Sequence, residues 1–160
     1  MILKRIIVLV LLIGLVTTAC RTNATISRGT SGKNDPQPKE NSNGPLGLSF
    51  SKSTFTESDT ITLTFMNKSD SDISIGLRCG HYPEMVYQKS DKGSWSENKE
   101  MAYSMLKCPT RLYTIKPHEK YSINMAASMF NSKGRFRLLV SYTISAENNP
   151  TITSEAFEIK

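Results

Sequence analysis

The sequence contains few of the residues on which enzyme chemistry usually depends. It has two histidines, three cysteines and one tryptophan in 160 residues. Both histidines, His81 and His118, lie close to prolines that are typical of turns. A nucleophile needs a base that is itself oriented by a third group, and neither a Gly-x-Ser-x-Gly elbow nor a glycine-rich phosphate loop occurs. We therefore expect no enzyme activity and no catalytic residues.

The sequence also lacks a helical pattern and a basic patch interleaved with aromatic residues. No stretch of ten or more residues carries a 3.6-residue apolar stripe. The formal net charge of +6 is dispersed among Ser, Thr and acidic residues, and without Lys4 and Arg5 it falls to +4. A nucleic-acid surface would concentrate that charge on one face. We expect no nucleic-acid partner.

Long hydrophobic runs are absent except at the start of the chain. The apolar run Ile6–Val16 follows Lys4 and Arg5. It is about half as long as the ~20 residues that a transmembrane helix needs, and it matches the apolar region of a secretory signal. This pattern predicts a signal peptide over residues 1–19.

The end of this run resembles the lipobox of bacterial lipoproteins. Val16-Thr-Thr-Ala-Cys20 has small residues before the cysteine, although Thr17 stands where the family usually has an aliphatic residue. The resemblance implies cleavage after Ala19, a diacylglyceryl group on the Cys20 thiol, and acyl chains such as palmitate that hold the protein at a membrane. The alternative is ordinary signal-peptide cleavage that leaves Cys20 a plain thiol.

The number of cysteines favours the lipoprotein interpretation. With Cys20 lipidated, Cys79 and Cys108 remain as an even pair in an exported domain, where disulfides persist. We predict a Cys79–Cys108 disulfide with Cys79 on the apolar face of its strand. Residues 20–45 are polar and rich in Gly, Pro, Ser and Asn, which is typical of a disordered tether. A single domain is expected over 46–160.

Period-two alternation recurs through that domain and predicts half-buried strands separated by turns. The apolar positions that alternate are Leu46/Leu48/Phe50, Ile61/Leu63/Phe65, Ile73/Ile75/Leu77, Tyr121/Ile123/Met125, Phe136/Leu138/Val140/Tyr142 and Phe157/Ile159. The segment Met125–Phe130 is too short to count as a helix. We predict an all-β, immunoglobulin-like antiparallel β-sandwich of about 7–9 strands, with a barrel as the main alternative.

Four short motifs carry a further resemblance: Ile61–Ser69, Gly93-Ser-Trp95, Ile115–Glu119 and Gly134–Leu138. They are similar to the Asn-x-Ser turn, the aromatic after a Gly turn, the Pro-Gly-Glu turn and the Gly-x-Tyr-Arg-Leu strand of bacterial immunoglobulin-like domains on envelope lipoproteins. The fold of bacterial intracellular proteinase inhibitors has the same landmarks. The chain departs from this pattern at His118, where the family usually has Gly. The resemblance covers about residues 46–160 and implies a binding or spacer module.

Two sets of side chains remain as candidate sites. Trp95 and Tyr82 belong to an aromatic-rich part of the chain and are candidate contacts for a protein or glycan partner. The alternative, which we favour for Trp95, is packing across the sandwich. Cysteine, histidine and several methionines could together bind copper, but Cys108, His118 and Met125 are spaced too widely for a blue-copper loop. We predict no metal site and no cofactor.

The sequence thus favours a lipid-anchored, non-enzymatic interaction module of the bacterial envelope, with its domain outside the cytoplasm. The anchor would lie in the outer membrane or in the outer leaflet of the plasma membrane. In bacteria with two membranes, an Asp after the lipidated cysteine favours retention in the inner membrane, and its absence here, where Arg21 stands, favours the outer membrane. Two alternatives stay open. One is a proteinase inhibitor that uses an exposed loop within Gly80–Lys107, and the other is a periplasmic copper-binding protein.

Overall fold

The computed structural model describes residues 44–145 and 148–160, and these residues form an all-β domain. Seven of its strands have five residues or more. The strands are β1 Leu46–Phe50, β2 Thr54–Phe55, β3 Thr60–Asn67, β4 Ile73–Arg78, β5 Tyr82–Pro83, β6 Met85–Asp91, β7 Ser94–Trp95, β8 Lys99–Glu100, β9 Thr110–Ile115, β10 Lys120–Ala126, β11 Gly134–Thr143, β12 Thr151–Thr153 and β13 Phe157–Ile159. Two short 3-10 helices, η1 Ala102–Met105 and η2 Ala127–Phe130, interrupt them.

The strands form two sheets. The small sheet has the order β1-β3-β10, and both of its pairings are antiparallel. The large sheet is built around β11, which pairs with β6 and β4 along one side and with β13 and β12 along the other. Strand β2 adds to β13 in parallel, and β5 and β9 pair with β4. This arrangement is all-β as predicted and is compatible with a β-sandwich.

A single apolar core lies between the sheets. Alternate residues of β3 and β11 are buried, as their sequence alternation predicts. Phe50 of the small sheet contacts Phe157 of the large sheet, with ring centroids 4.7 Å apart. Burying a side chain of this size stabilises a fold by about 2–3 kcal/mol. Among the described residues, those of the core run from Leu46 to Ile159.

Asn67 ties three chain segments together at one end of the domain. Its side chain is fully buried, and its amide donates to the carbonyls of Ser71 at 2.7 Å and Ile115 at 2.9 Å. Its amide oxygen accepts from the backbone N–H of Ser69 at 2.9 Å. The Asn-x-Ser motif is therefore a buried polar junction whose hydrogen bonds offset the cost of removing the amide from water.

His118 adopts a left-handed backbone conformation in the turn between β9 and β10. Its φ is 61°, and the N–H of Glu119 donates to the carbonyl of Lys116 at 3.1 Å. A non-glycine residue is strained in this region. The turn has the geometry for which glycine is suited, although His118 occupies it here.

Several predictions fall on residues that are not described. The signal peptide over 1–19, Cys20 and most of the 20–45 tether lie outside the described residues. Within the part that is described, no helix has the length and apolar character needed to cross a membrane.

Candidate functional site

The Cys79–Cys108 disulfide is present and joins the end of β4 to the start of β9. The two Cα atoms are 5.2 Å apart, and the sequence separation of the cysteines is 29. A bridge that closes a loop of this length contributes about 3–4 kcal/mol in the chain-entropy model. The prediction that Cys79 lies on the apolar face of its strand is wrong. Strand β4 ends at Arg78 because Cys79 and Gly80 have positive φ and begin the turn to β5.

The disulfide holds one end of a segment that begins in the large sheet, where β8 pairs with β6. This segment, Lys99–Cys108, is named the strap here and contains β8 and η1. Met101 and Tyr103 of the strap are buried. The guanidinium of Arg78 donates through Nε and Nη2 to the carbonyl of Leu106 at 3.1 and 2.8 Å. The strap is therefore fixed to the sheet by covalent, polar and apolar contacts.

Tyr103 anchors the middle of the strap. Its hydroxyl donates to the carbonyl of Pro83 at 2.7 Å, and its ring stacks on Tyr82 with centroids 4.7 Å apart. Burial raises the pKa of the Tyr103 hydroxyl well above its usual value, and the charges of Glu100 and Tyr82 act in the same direction. Tyr82 is a predicted partner contact, but one face of its ring is covered by Tyr103.

A cleft of about 500 Å³ lies where the strap meets the outer face of the large sheet. Clefts of this volume are of the size that small ligands occupy. The lining combines three charged side chains with apolar, hydroxyl and amide groups. The lining residues are Arg78, Glu84, Met85, Val86, Asn98, Glu100, Tyr103, Ser104, Leu139, Ser141 and Thr151.

Glu84 is held in the cleft wall by its position in the sheet. It lies between β5 and β6, where the chain changes its pairing from β4 to β11. The Thr110 hydroxyl donates to its carboxylate. A Cβ added to Gly76 would lie 2.6 Å from Glu84 Oε2. Gly76 therefore leaves the space in which the carboxylate lies.

Trp95 lies beside this face and is half-buried, so the favoured interpretation that it packs across the sandwich is wrong. It pairs with Ser90 after the tight turn at Lys92 and Gly93. This register directs the indole outward, where the Arg137 guanidinium lies 4.4 Å from its ring centroid. A stacked guanidinium on an aromatic ring contributes about 0.5–1 kcal/mol at an exposed site.

Arg137, which stacks on Trp95, begins a chain of hydrogen bonds that reaches the cleft. Arg137 Nε donates to Gln88 Oε1 at 2.7 Å, and Gln88 Nε2 donates to Asn98 Oδ1 at 2.9 Å. Asn98 in turn lines the cleft. The sequence-predicted Trp95 and Tyr82 thus flank one surface from two directions. Its centre consists of side chains that sequence reasoning missed.

The residues considered for copper do not come together. Within residues 44–145 and 148–160, no group of three or more His, Cys, Asp or Glu side chains is arranged to hold a metal ion. Cys79 and Cys108 are consumed by their disulfide, and His118 contacts Asp70 at 3.1 Å. Met125 is buried in the core. The copper alternative thereby loses both of its thiolates.

Comparison with protein-family models finds no match, and comparison with curated proteins finds none either. Among solved structures, the chain is similar to a β-glucosidase from Listeria innocua in complex with gluconolactone, at 12% identity and a TM-score of 0.32, covering 71% of this chain and 16% of that one. A β-glucosidase from Erythrobacter marinus is similar at 10% identity and a TM-score of 0.38, covering 73% and 15%. The chain spans less than a fifth of these enzymes, and likenesses this weak carry no argument about activity.

Proposed function

We propose that this chain is a lipid-anchored protein of the bacterial envelope that presents a non-enzymatic, immunoglobulin-like binding domain outside the cytoplasm. Lipid on Cys20 would hold it at the outer membrane or the outer leaflet of the plasma membrane, and the polar tether would let the domain reach a protein or glycan partner. The observation that carries the binding role is the cleft between the strap and the large sheet.

The chemistry of the cleft supports binding over catalysis. Its lining, as far as the structure describes it, contains no histidine and no cysteine. Three of its polar side chains are already fixed by hydrogen bonds within the domain. Arg78 donates to the carbonyl of Leu106, Glu84 accepts from the hydroxyl of Thr110, and Tyr103 donates to the carbonyl of Pro83. A site with fixed polar groups and apolar walls is preorganised for recognition, since little side-chain entropy is lost when a ligand binds.

The anchor is tested by fractionation of cells that express the full chain or Cys20→Ser. The proposal predicts that the unmodified chain sediments with membranes and incorporates labelled palmitate, and that Cys20→Ser does neither. Equal membrane association of the two proteins, with no label on either, would remove the lipid anchor from the account.

The cleft is tested by two matched substitutions of outward-facing hydroxyl residues. Ser141 lies in the cleft wall and Thr64 lies on the opposite sheet, and each hydroxyl contacts a hydroxyl of the neighbouring strand. For a partner recovered with the unmodified protein, Ser141→Arg is expected to weaken binding at least tenfold and Thr64→Arg less than threefold. Equal losses would show that the cleft does not bind the partner.

One observation favours the proteinase inhibitor as a second candidate. Met105 is 87% exposed and Leu106 is 44% exposed, and both lie in the strap next to the disulfide. A constrained loop with an apolar side chain fits the cleft of a protease that prefers such residues. Titration against a panel of proteases tests this, with Met105→Ala and Leu106→Ala as variants. Cleavage of the strap without inhibition would sink the idea.

A further inference from the structure

Strand β9 is an edge of the large sheet with an exposed apolar side. Among the described residues it pairs with β4 alone. The exposed large hydrophobic side chains of the described residues all lie within nine residues around the start of β9. They are Met105, Leu106, Leu112 and Tyr113. An open edge with apolar side chains is a template for another strand.

The hydrogen-bond pattern identifies which backbone groups of β9 face the open side. The N–H of Cys79 donates to the carbonyl of Pro109 at 3.1 Å, so this pair belongs to the hydrogen-bonded set. In an antiparallel ladder these sets alternate, and Arg111 and Tyr113 therefore bond to β4. Thr110, Leu112 and Thr114 direct their N–H and C=O groups away from the sheet.

The residues of β9 distinguish it from β10, one of the two edge strands of the small sheet. Strand β10 exposes Lys120, Ser122, Asn124 and Ala126, and a lysine on an edge discourages pairing. Strand β9 reads Thr-Arg-Leu-Tyr-Thr-Ile, without lysine, proline or an acidic residue, and its Leu112 is 71% exposed. Of these two edges, β9 is the one suited to pairing.

The sequence of β9 is complementary to itself about Leu112. Two antiparallel copies related by a two-fold axis at Leu112 place Leu112 opposite Leu112, Thr110 opposite Thr114, and Arg111 opposite Tyr113. Leucine pairs, threonine pairs and a cation on an aromatic ring are all favourable across strands. Because Thr110, Leu112 and Thr114 carry the outward backbone groups, the same register completes their hydrogen bonds.

We propose that β9 pairs with β9 of a second copy of this chain and joins the two large sheets into one across a two-fold axis. The partner is another copy because the register that pairs the open backbone groups also matches every side chain from Thr110 to Thr114. This pairing goes beyond the proposed function and does not depend on lipid at Cys20.

Sedimentation equilibrium tests the pairing with the chain from residue 20 onward carrying Cys20→Ser, which contains every described residue of the core. The unmodified domain is expected to form a reversible dimer with a dissociation constant on the order of micromolar to tens of micromolar, typical of a small interface. Leu112→Lys and Leu112→Glu should each weaken it at least tenfold. Mixing the two variants should restore dimers, since the axis places position 112 opposite itself.

A control variant distinguishes strand pairing from nonspecific hydrophobic association. Met105 is more exposed than Leu112 but lies outside β9, so Met105→Lys should leave the dissociation constant within threefold. The proposal is overturned if the unmodified domain stays monomeric, if Met105→Lys disrupts association as much as Leu112→Lys, or if the Lys/Glu mixture stays monomeric. Binding of a monomer to phosphatidylglycerol vesicles, lost in Met105→Glu, would instead assign the patch to a lipid surface and overturn the proposal.

Amide hydrogen exchange of the unsubstituted strand gives a second readout. As protein concentration rises, Thr110, Leu112 and Thr114 should gain protection. Arg111 and Tyr113, which already bond to β4, should keep theirs unchanged. Protection that is independent of concentration, or that rises equally at all five residues, would contradict the proposed register.

Discussion

The outward faces of the two sheets differ although both sheets cover the same core. The small sheet presents a ladder of exposed polar pairs, in which Thr62 donates to Asn124 at 2.8 Å and Thr64 contacts Ser122 at 2.8 Å. The large sheet presents the apolar side chains of Val86 and Leu139. They line the cleft together with residues of the strap. The outward face of the small sheet is therefore covered with small polar side chains, whereas that of the large sheet contains a cleft.

The difference indicates where recognition belongs. Exposed hydroxyl and amide pairs contribute little to stability, and a partner would gain little free energy by displacing water from them. A cleft with apolar walls and fixed charges gains affinity from desolvation and from preorganised polar groups. If the strap and the cleft form the recognition surface, substitutions around the strap should have large, local effects on stability and binding. Matched substitutions on the small sheet should have small effects on both.

The largest effect is expected from removal of the disulfide. The double variant Cys79→Ala/Cys108→Ala should lose about 3–4 kcal/mol of unfolding free energy, because the unfolded chain regains its loop entropy. Denaturant titration measures this loss, and hydrogen exchange should show that the strap loses protection before β3 and β10 do. Cys20→Ser is the control and should not change the stability. Uniform loss of protection would contradict a locally held strap.

The next effect is expected at Gly76. Gly76→Ala would bring a Cβ within 2.6 Å of Glu84 Oε2 and 3.2 Å of Thr110 Cγ2. The exposed Glu84 side chain must turn away and give up the hydrogen bond from Thr110, which we expect to cost about 1 kcal/mol. At Gly44 the nearest atom to such a Cβ is 3.8 Å away, so Gly44→Ala is the control, expected within about 0.5 kcal/mol of the unmodified protein. Equal stabilities of the two variants in thermal unfolding would contradict the tight approach of Glu84 to β4.

An effect of similar size is expected from the strap tyrosine. Tyr103→Phe removes the hydroxyl and leaves the buried carbonyl of Pro83 without its donor, which costs about 1–2 kcal/mol. Denaturant titration at neutral pH measures the change. Tyr82→Phe is the control, because it keeps the stacked ring of the Tyr82–Tyr103 pair. A loss as large in the control would show that the hydrogen bond is not the cause.

The pH dependence of stability gives a further test of burial with the same variant. Burial raises the pKa of Tyr103 in the folded protein, whereas an unfolded tyrosine titrates near pH 10. The stability linked to this proton is therefore fully present below about pH 10 and is lost as the pH rises further. The unmodified protein should lose stability more steeply than Tyr103→Phe above pH 10. The pKa values of Tyr121 and Tyr142 are also raised, but both residues are present in the two proteins. Parallel curves would contradict burial of the Tyr103 hydroxyl.

The smallest effect is expected on the small sheet. Thr62→Val removes an exposed hydroxyl that donates to Asn124 and keeps the β-branched shape, so the unfolding free energy should change by less than about 0.5 kcal/mol. Thermal unfolding measures it, and a partner that binds the strap face should bind the variant unchanged. A loss of more than about 1 kcal/mol would show that the polar ladder is structural.

Much of the fold follows from the sequence because its strands are long and half-buried. The alternation of Ile61, Leu63 and Phe65 matches β3, and that of Phe136, Leu138 and Val140 matches β11. The pairing of Cys79 with Cys108 follows from cysteine parity. These features depend on local period and on counting, which a single sequence contains.

The strap and the cleft are not predictable in this way. Segment Lys99–Cys108 has no regular period, since β8 has two residues and η1 has four, and burial of Met101 and Tyr103 depends on contacts distant in sequence. The position of Trp95 depends on the tight turn at Lys92 and Gly93, which directs its side chain to the outer face. Glu84 enters the cleft because the chain changes sheet neighbours beside it, and only the tertiary pairing reveals that.

Site-specific photo-crosslinking identifies which face of the domain a partner contacts. A benzoyl-phenylalanine crosslinker at Ser141 would sample the strap face, and the same group at Thr64 would sample the polar ladder, each in the full chain in its native cells. The account predicts a discrete crosslinked partner from Ser141 and none from Thr64. The same partner captured equally from both positions, or from Thr64 alone, would contradict it.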